Sequence, residues 1–118
     1  METNKYGTGL FVTDQFVENV DMLQINVDEI DKAQGNFDFI IINLNKGLVD
    51  KNADERVKII LEIFSKVRTG GIIFIPENTY QILYTGRRGM EALIEILGYK
   101  IELPPYNVKD IIIASKPW

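Results

Sequence analysis

The sequence predicts a single α/β domain, residues 1–118, built on a mostly parallel sheet that ends in an antiparallel strand pair. Three observations carry this. Phe39-Ile40-Ile41-Ile42 is a continuous run of one aromatic and three β-branched residues, of the kind found in strands buried on both faces of a parallel sheet. A strand, an amphipathic helix and another buried strand follow one another between residues 37 and 76, which is the order of a parallel crossover. The last two apolar stretches are separated only by Pro104-Pro105-Tyr106-Asn107-Val108-Lys109, too short for a helical return, so they must run antiparallel.

Taken in order, Leu10-Phe11-Val12 is a brief strand opened by Gly9 and closed by Thr13-Asp14. Residues 22–27 read as a second strand. Residues 37–44 form a third and central one. Asn52-Ala53-Asp54-Glu55 has the form of a capping box ahead of Val57, Ile60, Leu61, Phe64 and Val67, which recur at helical spacing. Gly70-Gly71 is expected to end that segment through a turn requiring positive φ, after which residues 72–76 form the next buried strand. A second helix is expected between Gly89 and Leu97, with Met90, Leu93, Ile94 and Leu97 on one side and Gly98 as its stop. Residues 99–103 and 110–115 are the last two strands. Two helices are few for covering both faces of such a sheet, and an uncovered apolar face favours association.

Composition narrows the chemistry. A chain of 118 residues with 46% hydrophobic residues supports one core and not two. There is no cysteine and no histidine, so thiolate or imidazole metal sites and cysteine or histidine catalysis are excluded. Any chemistry rests on carboxylates, amides, Tyr, Lys or a bound cofactor; no metal site is expected and no catalytic set is defined. With a net charge of −4 and scattered basic residues, bulk nucleic-acid binding is not expected. The longest apolar runs fall far short of the roughly 20 residues that span a bilayer, and residues 1–5 are polar, so a cytoplasmic protein without membrane attachment is expected.

Several local words, in order, resemble the later half of class I S-adenosylmethionine-dependent methyltransferases. Ile25-Asn26-Val27 stands where that family ends its third strand, with Asn26 at the usual distance before the Phe37-Asp38 that opens the next. Val67-Arg68-Thr69-Gly70-Gly71-Ile72-Ile73-Phe74-Ile75 is similar to the family's Leu-Lys-Pro-Gly-Gly and buried strand, with Thr69 in place of the proline. Leu93-Ile94-Glu95-Ile96-Leu97-Gly98-Tyr99-Lys100-Ile101 resembles its helix, glycine stop and aromatic-led strand. Ile111-Ile112-Ile113-Ala114-Ser115-Lys116-Pro117 resembles its final strand and tail. The resemblance implies a Rossmann-like, methyltransferase-type open sheet truncated at the N-terminus. The family's first strand, Gly-x-Gly-x-Gly turn and acidic second strand need more residues than precede Met22. Tyr6-Gly7-Thr8-Gly9 echoes the glycine motif, but the span to Asn26 is too short for the family's intervening elements, and Gly9 with Leu10 to Val12 can instead supply a substitute strand.

If S-adenosylmethionine is bound, the resemblance places adenine at Asn26 and Val27; a strand-end Asn that turns the chain is the plainer alternative. Asn43 ends the central strand at the carboxyl edge, where open α/β sheets bind ligands. The loop Leu44-Asn45-Lys46-Gly47 follows it, and Glu77 lies at another strand end. Leu103-Pro104-Pro105-Tyr106-Asn107 is similar to an amino-methyltransferase motif, but stands in the wrong connection with Leu103 in place of the polar acceptor, and reads equally as a rigid turn. Thr85-Gly86-Arg87-Arg88-Gly89 can hold an anion or simply be a solvated basic turn. Three functions compete: a methyltransferase-like domain without the standard cofactor site, acting as a binding or partner protein that forms a homodimer or a complex with another protein; a minimal methyltransferase completed by a second chain; and an inert receiver-like module, in which Asn43 occupies the phosphoryl-acceptor position.

Overall fold

The structure, a computed structural model, describes residues 8–46, 48, 50–84, 86–102 and 110–118. The described strands are β1 (Gly9–Thr13), β2 (Leu23–Asn26), β3 (Phe37–Asn43), β4 (Val67–Pro76), β5 (Lys100–Ile101) and β6 (Ile111–Ser115). They form one mixed sheet in the order β2-β1-β3-β4-β6-β5. β2, β1, β3 and β4 run parallel to one another, whereas β6 lies antiparallel between β4 and β5. A bent 3-10 helix (Val27–Lys32) joins β2 to β3, α1 (Ala53–Phe64) joins β3 to β4, and α2 (Glu77–Leu83) and α3 (Gly86–Ile96) lead from β4 to β5.

The core lies on one face of this sheet. The parallel register aligns Leu10 with Ile40, Ile40 with Ile73, and Val12 with Ile42. Across the antiparallel join Ile73 meets Ala114 and Ile75 meets Ile112. All of these are at most 1% exposed. Val27 and Ile30 of the 3-10 helix, Ile60, Ile63 and Phe64 of α1, Tyr80 and Leu83 of α2 and Met90, Leu93 and Ile94 of α3 join them in one cluster. Burying each such aliphatic or aromatic side chain is worth about 1.5–3 kcal/mol, so this layer supplies most of the folding drive. The alternate strand residues, Phe11, Phe39, Ile41, Ile72, Phe74 and Ile113, point to the other face and are only half-buried.

Several expectations are corrected. The first helix stops at Phe64; Val67, placed on its apolar face from the sequence, is instead the buried first residue of β4, and Leu61 is 44% exposed. β4 does not begin after Gly70-Gly71 but runs through them. The extension is held by Gly70 N–H donating to Lys116 O (2.8 Å) and Lys116 N–H to Gly71 O (3.2 Å), with a register shift against β3 between Phe37 and Phe39. Gly70 does have positive φ (+77°), whereas Gly71 is required because a Cβ there would lie 2.9 Å from the carbonyl oxygens of both Arg68 and Asp38. The described residues contain three α-helices where the sequence reading counted two: α2 escaped it because it is short and begins directly at a strand end without a capping side chain.

Other devices match their sequence signals. Glu55 N–H donates to the Asn52 side chain (2.9 Å) and Asn52 N–H to Glu55 (3.2 Å), completing the capping box. Gly98 adopts φ +88° and ends α3, with Tyr99 N–H donating back to Ile94 O (3.1 Å). Tyr99 itself is buried between Phe64 and Trp118, edge-on to each, and its hydroxyl donates to Phe64 O (2.9 Å). Burial raises the Tyr99 pKa above its ordinary value.

Candidate functional site at the carboxyl edge

In an open parallel sheet the ligand crevice forms at the carboxyl ends of the strands where the winding direction reverses. From β1 the chain goes outward to β2 and then back across to β3 on the other side, so that reversal falls between β1 and β3. The register pairs Thr13 with both Asn26 and Asn43. Asn26, Thr13 and Asn43 therefore form one row along this edge, the two asparagines roughly 10 Å apart at a strand spacing of ~4.8 Å.

Each side chain in the row is already engaged. The Asn26 carbonyl oxygen accepts from Asp28 N–H (2.9 Å) and caps the 3-10 helix. Thr13 is 2% exposed, and its hydroxyl donates to Gln15 O (2.8 Å) while accepting from Gln15 N–H (3.1 Å). The Asn43 oxygen accepts from Asn78 Nδ2 (3.0 Å), which also donates to Leu44 O (2.9 Å). Leu44 N–H donates to the fully buried Thr79 hydroxyl (2.9 Å). The start of α2 is thereby tied to the end of β3.

Asp14, directly after β1, closes the crevice itself. Its carboxylate accepts from Asn45 N–H (2.9 and 3.1 Å to its two oxygens) and from Lys46 N–H (2.7 Å). Two successive amides of the β3 loop are thus turned onto an anion supplied by the neighbouring strand, which is where an open sheet would receive a ligand's negative group. Among the described residues no buried side-chain nitrogen or oxygen lacks a hydrogen-bond partner.

Val27 is 2% exposed and belongs to the core. It also contributes, with Asp28, Ile30, Lys51, Glu55, Lys58 and Ile59, to an open cleft of about 370 Å³ between the 3-10 helix and the start of α1. The cleft is of small-ligand size, with an apolar floor and both charge signs on its rim.

The remaining candidates are dispersed. Gly9 opens β1 at the amino edge, opposite the crevice, and is buried beneath the Phe39 ring, which a Cβ would strike. Glu77 is exposed at the start of α2, with Tyr80 OH donating to it at 3.5 Å. Arg87 pairs with Glu91 (3.5 Å), lies over the Tyr80 ring and donates to Ile111 O (3.5 Å), so it joins α2, α3 and β6. The Pro-Pro-Tyr segment, together with Gly7, Gly47 and Thr85, lies outside the described residues. Among the described residues no group of three or more acidic, His or Cys side chains could hold a metal, and no helix is long and apolar enough to cross a membrane. At the amino edge, hydrogen bonds from the Arg68 side chain and from Thr8 N–H (2.6 Å) hold the Asp38 pKa below its ordinary 3.8.

The sequence pointed to Asn26, Val27 and Asn43 and offered Asp14 only as part of the Thr13-Asp14 pair that closes the first strand. It missed Asn78 and Thr79, whose one signal was their position just after the strand-ending Pro76. No model of a known protein family matches the chain, and no curated protein is similar to it.

Proposed function

We propose that this chain is a methyltransferase-like domain without the standard cofactor site, serving as a binding or partner protein. What supports the likeness is that its sequence words fall, in order, on β2, on the opening of β3, on β4, on α3 with β5, and on β6. The antiparallel β6 beside β4 favours this reading over a receiver-like module, whose sheet is wound parallel throughout.

The observation that carries the loss of the cofactor site is the Asp14 carboxylate seated on the Asn45 and Lys46 amides. A second carboxylate or the electron-rich groups of a ligand would meet that charge at close range. Residues 14–22, all described, form no helix, so no helix N-terminus follows β1 to face a cofactor. Gly9 lies at the wrong edge. These residues do not suit S-adenosylmethionine held in the family's manner.

The test is a titration of the protein with S-adenosylmethionine and S-adenosylhomocysteine, followed by backbone amide shifts. No movement at millimolar ligand is expected. Saturable shifts at Asn26, Val27 and Asn43 would instead favour the second reading, a minimal enzyme completed by another chain, for which the cleft beside Val27 is the feature in its favour.

A further inference from the structure

We propose that the outer edge of β2 is a docking strand for an extended, cationic segment of another protein, which adds to the sheet beside it; this rests on the reading of the chain as a partner protein. β2 ends the sheet and has β1 on one side only. An edge strand turns half of its peptide groups away from its neighbour, and among the described residues those of Leu23–Asn26 meet no backbone partner on that side. Proteins commonly blunt such an edge with a lysine, a proline or a bulge. β5, at the opposite edge, has only two residues and carries Lys100. β2 has none of these devices: Leu23-Gln24-Ile25-Asn26 contains no lysine or proline, and its register against β1 is unbroken from Leu10 with Leu23 to Thr13 with Asn26.

Charge decides what kind of strand fits there. Residues 14–31, which form the β1–β2 connection, β2 and most of the 3-10 helix, hold six carboxylates and no Lys or Arg, whereas residues 32–118 hold ten carboxylates and twelve Lys or Arg. The net charge of −4 is therefore gathered at this end of the sheet. Asp14 is taken up by the Asn45 and Lys46 amides. The other five, Glu18, Asp21, Asp28, Glu29 and Asp31, are exposed, and among the described residues only Glu29 of these has an ion-pair partner, Lys32 at 3.9 Å. Glu18 and Asp21 precede β2 while the other three follow it, so both ends of the edge are negative. Screening at physiological salt acts over about 8 Å, and an added strand sits ~4.8 Å away, inside that range. A second copy would bring the same carboxylates to the edge and is repelled; a segment carrying Lys or Arg is drawn in.

Side chains set the rest of the preference. Leu23 pairs with the buried Leu10 and so lies on the helix-covered face, yet it is 56% exposed. On the opposite face Gln24 clasps the β1–β2 connection: its side-chain amide donates to Val17 O and accepts from Val17 N–H, both at 2.8 Å. The clasp keeps the neighbouring Phe16, 76% exposed, at that side of the strand. An incoming strand meets an apolar group at each face, carboxylates at both ends, and open backbone donors and acceptors between them. Main-chain hydrogen bonds give such strand addition its affinity and alternate side chains its selectivity. The segment that fits alternates Lys or Arg with branched apolar residues.

The experiment is a titration of the full chain with an acetylated and amidated hexapeptide of alternating lysine and valine, read by amide chemical shifts and amide hydrogen exchange. In the free chain the outward amides within residues 23–26 should exchange rapidly. Binding should be weak, with a Kd of about 10 µM to 1 mM, and peptide at ~10 times Kd should slow those amides about tenfold. Raising salt from ~0.05 to ~0.5 M should weaken binding several-fold. The same peptide methylated at every backbone nitrogen should lose about tenfold or more in affinity, and the peptide with glutamate in place of lysine should not bind. Leu23→Lys, and separately the combined Glu18→Gln, Asp21→Asn and Asp31→Asn, should each weaken binding about fivefold or more, with the methyl signals of the buried Ile40, Ile42 and Ile73 unchanged as the check on folding. Absence of binding at millimolar peptide overturns the proposal, as does equal binding of the methylated peptide, which marks adsorption by charge alone. Outward β2 amides already protected in the free chain overturn it too, whether at every concentration, through the chain's own residues, or only as concentration rises, through a second copy. A chain that ignores both this peptide and S-adenosylmethionine loses the β2 site and keeps the proposed function through another surface; one that takes the peptide at β2 and also binds S-adenosylmethionine keeps the site and loses that function.

Discussion

Replacing Asp14 by alanine removes the carboxylate that gathers Asn45 N–H and Lys46 N–H at 2.7–3.1 Å. Hydrogen bonds to a charged acceptor are worth about 1.5–3 kcal/mol each when protected from water. These are not: Asn45 and Lys46 are exposed, so both amides can turn to solvent and no desolvation penalty remains. The expected loss is therefore about 1–2 kcal/mol in total. With a urea slope of about 1–3 kcal/mol/M, the unfolding midpoint should fall by roughly 0.5–1 M. Asp14→Asn, which keeps one acceptor oxygen without the charge, should fall about half as far. Amide exchange at Asn45 and Lys46 should quicken in Asp14→Ala, while exchange in the buried strands changes only by the global loss. An unchanged midpoint together with unchanged protection at those two amides would refute the assignment of Asp14 as the closure of the crevice.

Three further predictions concern the framework. Gly70→Ala should cost about 1–2 kcal/mol through its φ of +77°, and Gly70→Asn less, because asparagine tolerates the left-handed region. Gly71→Ala should cost about 1–3 kcal/mol or more through collision with the Arg68 and Asp38 carbonyls, and asparagine there should bring no relief; equal rescue at both positions in urea melts would contradict this division. Thr79→Val keeps the shape but strands the buried Leu44 N–H, an expected loss of about 1–3 kcal/mol that Thr79→Ser should largely restore in thermal unfolding. Asp38 is held below its ordinary pKa by Arg68 and Thr8, so its ionised form favours the folded state. That contribution is complete above the unfolded value near 3.8 and is lost as pH falls through the lower folded value, so Asp38→Asn should be less stable than wild type at neutral pH, and the difference should shrink as pH falls below 3.8.

The sequence by itself determined the elements whose signals are local. A continuous β-branched run must be strand, Asn52 three residues before Glu55 makes a capping box, Gly98 stops a helix, and a proline-rich link too short for a helix forces an antiparallel pair. These depend on backbone sterics and near-neighbour hydrogen bonds, which are written in consecutive residues. Two asparagines at strand ends were likewise legible as edge residues, because an open sheet collects strand ends on one side.

Tertiary structure decided what depends on register and on which strand neighbours which. Val67 looks helical by spacing, yet pairing of β4 with β3 and of Gly70 with Lys116 draws it into the sheet. Gly9 resembles a cofactor glycine in the chain, but it opens β1 at the amino edge, opposite the ligand edge towards which that strand runs, and the Phe39 ring covers it. Asp14, unremarked beside its own neighbours, becomes the closure of the crevice only because β1 lies against β3 and presents it to amides more than thirty residues away in the chain. The sequence could say that two helices are few for two faces; only the alternation of Phe11, Ile41 and Phe74 against Val12, Ile42 and Ile75 across aligned strands decided which face the described helices cover, because a pleated sheet assigns its sides by register and not by composition.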